Sequence, residues 1–576
     1  MIQQIEDQLD IILEEGLLGP GFEFRDGQRE TVSAICQMYF KDPEGTVVID
    51  APTGTGKSIV AMASSLVLSR MNKTGYMVTS DLSLQDQYES DFYKMRLRWP
   101  SLKGVDNYTC DVNQQVFSLG DCKLKGMGYE QASKLHCYGG CEYLQTRKRA
   151  IESSVCLLNY SYWLLQRNYV ADKMLGESRN VPFDKRDFVF FDEAHKVDEL
   201  VQNHFTPRID ETIVDRIHQT NLFLSRYSLP ASRYTKASIQ RMVTDIRQSR
   251  TNKEAFEPIK ELERVLFNYV KISKSVKKSA KQMFGDGSVP KDWQKAFTNF
   301  ERLKDVRCKC QDYIDIIEDV GLEKMVINHK REETQVQCIE ERHMIKKFLH
   351  DKAGFKVFMS ATIGDPSAYM KIMGIENANF IRLGNAFNYD KSPIIFVNRH
   401  KLSYKEKEAS LPEVVKLLDQ IISKHTGQRG IVHCGSYEFL NYIKGNSKHT
   451  FRFVDYENSK EKSGALEVFK NKDGAVLLGP SLLEGLDLKD DTSRFQIFFK
   501  VPYPSLGDPL IKAKMNNSTD WYDWKTGVSI LQGVGRSVRS KDDWAVTYIL
   551  DSCFWSLMNK KDFFPPSFTE RLKVVK

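Results

Sequence analysis

Two segments of this chain combine residue types that suit chemistry on phosphates. Residues 46–58 read TVVIDAPTGTGKS, an apolar run, a glycine-rich turn and the start of a helical stretch. The spacing is that of a phosphate loop, G-x-x-x-x-G-K-S/T, with Ala51 where the first glycine belongs. Gly54 and Gly56 let the backbone from Thr53 to Ser58 fold closely, so that successive N–H groups, Thr55 included, can point at a phosphate. Lys57 can reach the outer phosphates, and the Ser58 hydroxyl can ligate Mg²⁺. The second segment is Asp192-Glu193-Ala194-His195, at the end of the apolar run 187–191. Asp192 suits the magnesium shell, and Glu193 suits polarisation of an attacking water. A general base cannot also be consumed as a metal ligand, so adjacent acids divide the two duties. The chemistry these residues suit is hydrolysis of a magnesium-bound nucleoside triphosphate.

Three other groups bear on that chemistry or stand apart from it. Arg25 and Gln28 offer a guanidinium and an amide that could read an adenine edge. Gln532 opens the run Gly533-Val534-Gly535-Arg536-Ser537-Val538-Arg539, with Arg536 and Arg539 three apart and expected on one helix face. Such arginines can stabilise charge on a transferred phosphoryl when a second domain closes over the first. Of eleven cysteines, Cys110, Cys122, Cys137 and Cys141 fall within 32 residues, spaced C-x11-C-x14-C-x3-C. That spacing is unlike a zinc ribbon, yet alone it leaves zinc and an iron–sulfur cluster both open. His136 reads as a surface residue, and Cys308, Cys310 and Cys338 read as ordinary thiols.

The elements that must position these residues follow from apolar patterning. Continuous β-branched and aromatic runs at 46–52, 75–80, 187–191 and 355–362 suit strands of a parallel sheet buried on both faces. The pattern resumes at 393–398, 430–436, 474–480, 494–504 and 545–550, while 200–340 lacks such runs and reads as mostly helical. The economical partition is α/β, with two parallel-sheet domains and a helical insertion in the first. The 576-residue length suits about four domains, and 41% hydrophobic with 28% charged residues excludes a disordered chain. No apolar stretch of about 18 residues occurs, and the first twenty residues lack a basic n-region. No membrane association or secretion is expected. Residues 221–310 hold 20 Lys/Arg against 9 Asp/Glu, which marks either a solvated helical face or a phosphate-tracking surface. Charge alone does not choose between them. The cysteine region also interleaves Arg96, Arg98, Trp99, Lys103, Tyr108 and Lys123, a mixture that suits a single strand.

In order and spacing these segments resemble the motifs of superfamily 2 helicases. Residues 24–28 resemble the adenine-reading motif, 51–58 motif I, 79–87 motif Ia, 192–195 motif II and Ser360-Ala361-Thr362 motif III. Glu484-Gly485-Leu486-Asp487 resembles motif V, and residues 532–539 resemble motif VI. The narrower resemblance is to the XPD/DinG family of iron–sulfur helicases. It rests on the four cysteines between motifs Ia and II, the helical insertion between motifs II and III, and Lys500-Val501-Pro502-Tyr503-Pro504 with Asp508-Pro509-Leu510. Asp551-Ser552-Cys553 departs from the family, which usually ends that strand Asp-x-Arg, and the chain looks compact, with no appended nuclease expected.

The resemblance implies two RecA-like motor domains, the first made of 1–99, 157–204 and 346–388 and the second of 389–576. An iron–sulfur domain would occupy 100–156 and a helical Arch-like domain 205–345. It implies a [4Fe–4S] cluster on Cys110, Cys122, Cys137 and Cys141, and nucleotide contacts from Glu484, Gly485 and Asp487. Ser360 and Thr362 would relay closure. The implied activity is an ATP-dependent DNA helicase, a monomer inside the cell, moving 5′ to 3′ on single-stranded and forked DNA. The alternatives are a remodeller of RNA or protein–nucleic acid complexes and a nucleotide-gated single-strand clamp.

Overall fold

A computed structural model of the chain describes all residues except 53, 171–182, 231, 286, 385–388, 459, 481, 484–489, 537–542 and 561–562. The apolar runs form two all-parallel sheets. The first has six strands in the order Asn379–Arg382, Thr46–Asp50, Phe355–Ser360, Phe188–Phe191, Gly75–Thr79, Val155–Asn159. Its four central strands are buried at every position, as their uninterrupted Val, Ile and Phe content requires when helices cover both faces. Pairing aligns Asp50 with Ser360 and Phe358 with Phe191. Three segments far apart in sequence, the phosphate loop, 192–195 and 360–362, thereby leave the same edge of one sheet. At that edge ligands gather in open parallel sheets.

The second sheet has seven strands in the order Phe453–Val454, Val476–Gly479, Gly430–His433, Phe495–Phe498, Val546–Asp551, Ile394–His400, Leu572–Val575. The two lobes meet along the helix Thr519–Val534 of the second. Its Trp524 and Val528 are buried in one core with Ile363 and Tyr369 of the first lobe, and the Trp524 indole N–H donates to the Ile363 carbonyl at 2.8 Å. Beside them Lys525 pairs with Asp198 at 3.3 Å and Glu199 at 2.9 Å.

Two insertions interrupt the first lobe. The cysteine region contains short elements. Cys110 ends the strand Thr109–Cys110, paired antiparallel with Gln115–Val116, Cys122 lies in the helix Asp121–Leu124, and Cys141 caps the helix Glu142–Glu152. Cys156 belongs to the first sheet, through the strand Val155–Asn159 beside Gly75–Thr79. The second insertion has the expected helices, Thr212–Arg226, Lys236–Gln248, Asn252–Phe284 and Lys291–Val320. It also has a three-stranded antiparallel sheet of Arg208–Asp210, Glu333–Cys338 and Met325–His329. These strands escaped the sequence reading because they are short and mix Asn, Gln and Thr with apolar residues.

Candidate active site

The phosphate loop sits between the strand Thr46–Asp50 and the helix Lys57–Arg70, with Gly54 at φ +84° and Gly56 at φ +77°. Both lie in the left-handed region that glycine enters without a Cβ penalty. A Cβ on Gly56 would stand 2.3 Å from the Gln28 amide nitrogen, so a side chain there would displace Gln28 as well as strain the backbone. Gln28 is buried against the loop, donating to the Thr55 carbonyl at 2.7 Å and accepting from the Arg25 N–H at 2.9 Å. The Arg25 guanidinium donates to the Gly54 carbonyl. The pair expected to read adenine thus also braces the phosphate loop.

Lys57 reaches across to both acids of the second segment, at 3.0 Å from Asp192 and in an ion pair with Glu193. Burial works against the charge on Glu193, but Lys57 and then His195 hold its carboxyl low, at about 2. Asp192 is 2% exposed, and burial raises it despite the opposing pull of Lys57. Its Oδ2 accepts from the Tyr88 hydroxyl at 2.9 Å, and its carbonyl accepts from the Tyr160 hydroxyl at 3.1 Å. Glu193 adopts φ +51° and ψ +44°, a strained conformation for a residue with a side chain. That strain aims its carboxylate at Lys57 rather than along the strand. The Ser58 hydroxyl lines the same space, so an acid, a hydroxyl and a cation converge as a magnesium–phosphate site requires.

His195 connects this centre to the rest. Its Nδ1 lies 2.7 Å from the Ser360 hydroxyl, and its Nε2 faces the Gln532 amide nitrogen. Gln532 donates there, so Nε2 is the acceptor and the ring proton resides on Nδ1. Burial lowers His195 to about 4, which keeps it neutral and suited to both bonds. Ser360 in turn accepts from the Thr362 N–H at 3.0 Å. Sequence reasoning passed over His195, Tyr88 and Tyr160; only the four-letter run 192–195 signalled the first of them.

The expected residues face one another across a cleft of about 450 Å³ between the lobes. Arg25, Gly54, Lys57 and Glu193 line it from the first lobe, and Gln532 and Arg536 from the second. Arg536 lies beyond the helix Thr519–Val534, whose cap is Gly535, and donates to the Leu483 carbonyl at 2.8 Å. Arg536 therefore stands outside the helix on which its spacing places it, and Arg539, expected on the same face, lies outside the described residues. Thr53, Glu484, Gly485, Asp487 and Arg539 lie outside the described residues.

The four clustered cysteines are described, with Cys110 and Cys141 buried and Cys122 and Cys137 partly so. Burial raises Cys122 to about 11, and it raises Cys137 and Cys141 as well. Cys122 feels the charge of Cys110 and Cys141, and Cys137 and Cys141 both feel that of Cys110. The thiols therefore gather in one neighbourhood that disfavours free thiolates. A donor set of this kind fits a positively charged metal centre, which would stabilise the thiolate form. As placed, no three His, Cys, Asp or Glu side chains among the described residues stand close enough to hold a metal ion.

Two parallel-sheet lobes with a phosphate loop in the first and an arginine facing it from the second define a RecA-like nucleotide motor. Residues 21–222 match the family described as type III restriction enzyme, res subunit, and residues 419–568 match the helicase C-terminal domain. The chain is 23% identical, over an alignment 615 positions long, to the ATP-dependent DNA helicase YoaA of Escherichia coli, covering 92% of each chain. It is 19% identical to the ATP-dependent DNA helicase DinG of the same organism, over 92% of this chain and 91% of that one. Its fold matches Xpd4 of S. tokodaii with a TM-score of 0.58 at 14% identity, covering 96% of this chain and all of the other. A second XPD helicase structure matches with a TM-score of 0.60. The chain is thus XPD/DinG-like, similar over most of its length to helicases of superfamily 2.

Proposed function

We propose that this protein hydrolyses Mg·ATP in the interlobe cleft and uses the cycle to move along single-stranded DNA, 5′ to 3′, separating duplex as it goes. The observation that carries the reading is that Lys57, Glu193, Gln532 and Arg536, drawn from both lobes, line one cleft. Incoming phosphate would draw Lys57 off its two carboxylates. Glu193 would then lose its main stabilising partner and rise from about 2 toward the range of a working base, so substrate binding itself would arm the water-polarising group. Ser58 and Asp192 would hold magnesium, which neutralises charge building on the phosphates. Arg536 would stabilise the transferred phosphoryl on closure, and the His195–Gln532 contact would report the state of the cleft to Ser360 and Thr362.

Cys110, Cys122, Cys137 and Cys141 would hold a [4Fe–4S] cluster. Bound there, it supplies covalent cross-links to an insertion whose own elements are too short to stand alone. The YoaA and DinG relatives, both named ATP-dependent DNA helicases, support DNA as the substrate.

The test pairs ATP turnover with strand displacement. Single-stranded DNA should raise turnover, and Lys57→Ala should abolish turnover while leaving single-strand binding intact; a variant that still turns over ATP overturns the assignment. Forks carrying only a 5′ or only a 3′ tail should be opened from the 5′ tail. Equal opening of RNA duplexes would favour the remodelling alternative.

A further inference from the structure

The helix Asn252–Phe284 carries a charge pattern that the nucleotide cleft does not use. At about 100° per residue, Arg264, Phe267, Lys271, Lys274, Lys278 and Lys281 fall within an arc of about 100°. All six are exposed. No Asp or Glu occurs on the helix from Arg264 to its end. On the next helix, Glu301 pairs with Lys277, which lies beside the stripe, at 2.8 Å and with Lys304. Glu263, on the buried side, pairs with Arg307 at 2.6 Å. No carboxylate among the described residues pairs with Arg264, Lys271, Lys274, Lys278 or Lys281. A solvated face normally intersperses both signs; this one does not.

The stripe is also held in place. Lys277 packs against the position a Cβ would take on Gly126, at 3.3 Å, so the helix abuts the cysteine insertion. Lys125 donates to the Gly287 carbonyl at 2.6 Å, and the Val289 N–H donates to Asp121 at 3.2 Å, locking the helix end to the same insertion. From Arg264 to Lys281 the stripe runs about 26 Å, at roughly 1.5 Å per residue. That is the length of roughly seven or eight base pairs.

We propose that this stripe is a docking track for double-stranded DNA, holding the phosphate backbone of duplex not yet separated. The proposal rests on the DNA-motor reading above. Duplex is favoured over single strand by the one aromatic on the stripe. Single-strand tracks stack bases on free aromatic faces, but Phe267 has Lys271 at 4.4 Å and Arg307 at 5.0 Å from its ring centroid. With Lys271 and Arg307 over its ring, Phe267 holds cations in place along the track instead of offering a free stacking surface. A straight, rigid row of cations matches a straight, rigid polyanion, and binding through phosphates alone carries no sequence preference.

The test uses the full chain with Lys271, Lys274, Lys278 and Lys281 all changed to Gln, which keeps helix propensity while removing charge. Binding of a blunt duplex of about 30 base pairs and of a single strand is followed across a salt series, together with single-strand-stimulated ATP turnover. The expected result is a duplex salt slope flattened by about 0.9 for each phosphate that the variant no longer neutralises, up to about 3.6. Duplex affinity at low salt should drop at least tenfold, with single-strand-stimulated turnover retained. An unchanged duplex slope overturns the proposal and leaves the stripe a solvated face. A loss confined to the single strand also overturns it, by making the stripe a single-strand track. If the unaltered chain shows no single-strand stimulation, it is the motor reading that fails, whatever the duplex arm shows.

Discussion

Lys57 shows how one side chain in the cleft answers to several others. Its ammonium is shared between Asp192 and Glu193, and a neutral His195 sits behind them. Buried histidines recur through the fold, because His204, His350 and His433 are likewise lowered by burial to about 4. Each stays neutral when folded but takes a proton in the unfolded chain below about pH 6.5. Their contribution is therefore intact above that value and is lost as pH falls from about 6.5 to 4, by up to about 1.4 kcal/mol per pH unit each. Glu193, held near 2, acts in a lower window, its contribution being lost as pH falls from about 4.5 through 2. Melting temperature should accordingly decline between pH 6.5 and 4. His204→Phe keeps an aromatic ring between Tyr169 and Phe205 and should decline less steeply; a slope identical to the parent would contradict the buried-neutral account.

The cysteine insertion is built of small pieces, a two-strand hairpin, helices of four residues and the eleven-residue helix Glu142–Glu152. Such pieces bury too little surface to hold together without a cross-link. Cys137→Ser should lower the iron content of protein purified without oxygen and increase protease cutting within 103–154. Iron unchanged from the parent would remove Cys137 from the ligand set. The same scale shows where sequence patterning stops being informative. The strands of the first sheet announce themselves as uninterrupted apolar runs, whereas Met325–His329 and Glu333–Cys338 are legible only once paired. Arg536 likewise lies past the helix end at Val534, where the three-residue spacing assumes that the helix continues.

Across the whole molecule, the helix Thr519–Val534 belongs to the second lobe by chain connection and packs against both, with Trp524 and Val528 in the first lobe's core and Ile530 and Val534 in the second's. Trp524 is 1% exposed and anchors that docking one residue past the 360–362 segment, while Gln532 on the same helix touches His195. Motion of the lobes must therefore pass through this helix. Trp524→Phe keeps most of the buried ring but removes the bond to Ile363, a loss of about 1 kcal/mol in stability. DNA-stimulated ATP turnover should fall severalfold while nucleotide binding is kept. Turnover equal to the parent would show that the bond plays no part in coupling the lobes.

The sequence alone determined the strand-forming runs, the phosphate loop, the acid pair and the grouping of four thiols, because local backbone geometry and apolar period are written in neighbouring residues. It could not say that Ser360 would lie beside Asp50, that His195 would bridge Ser360 to Gln532, or that Phe267 would be roofed by Lys271 and Arg307. Those facts depend on strand order and helix docking, which bring together residues more than a hundred positions apart or turn a charge count into a face. Only the folded chain sets those distances, because they are fixed by which surfaces bury against each other.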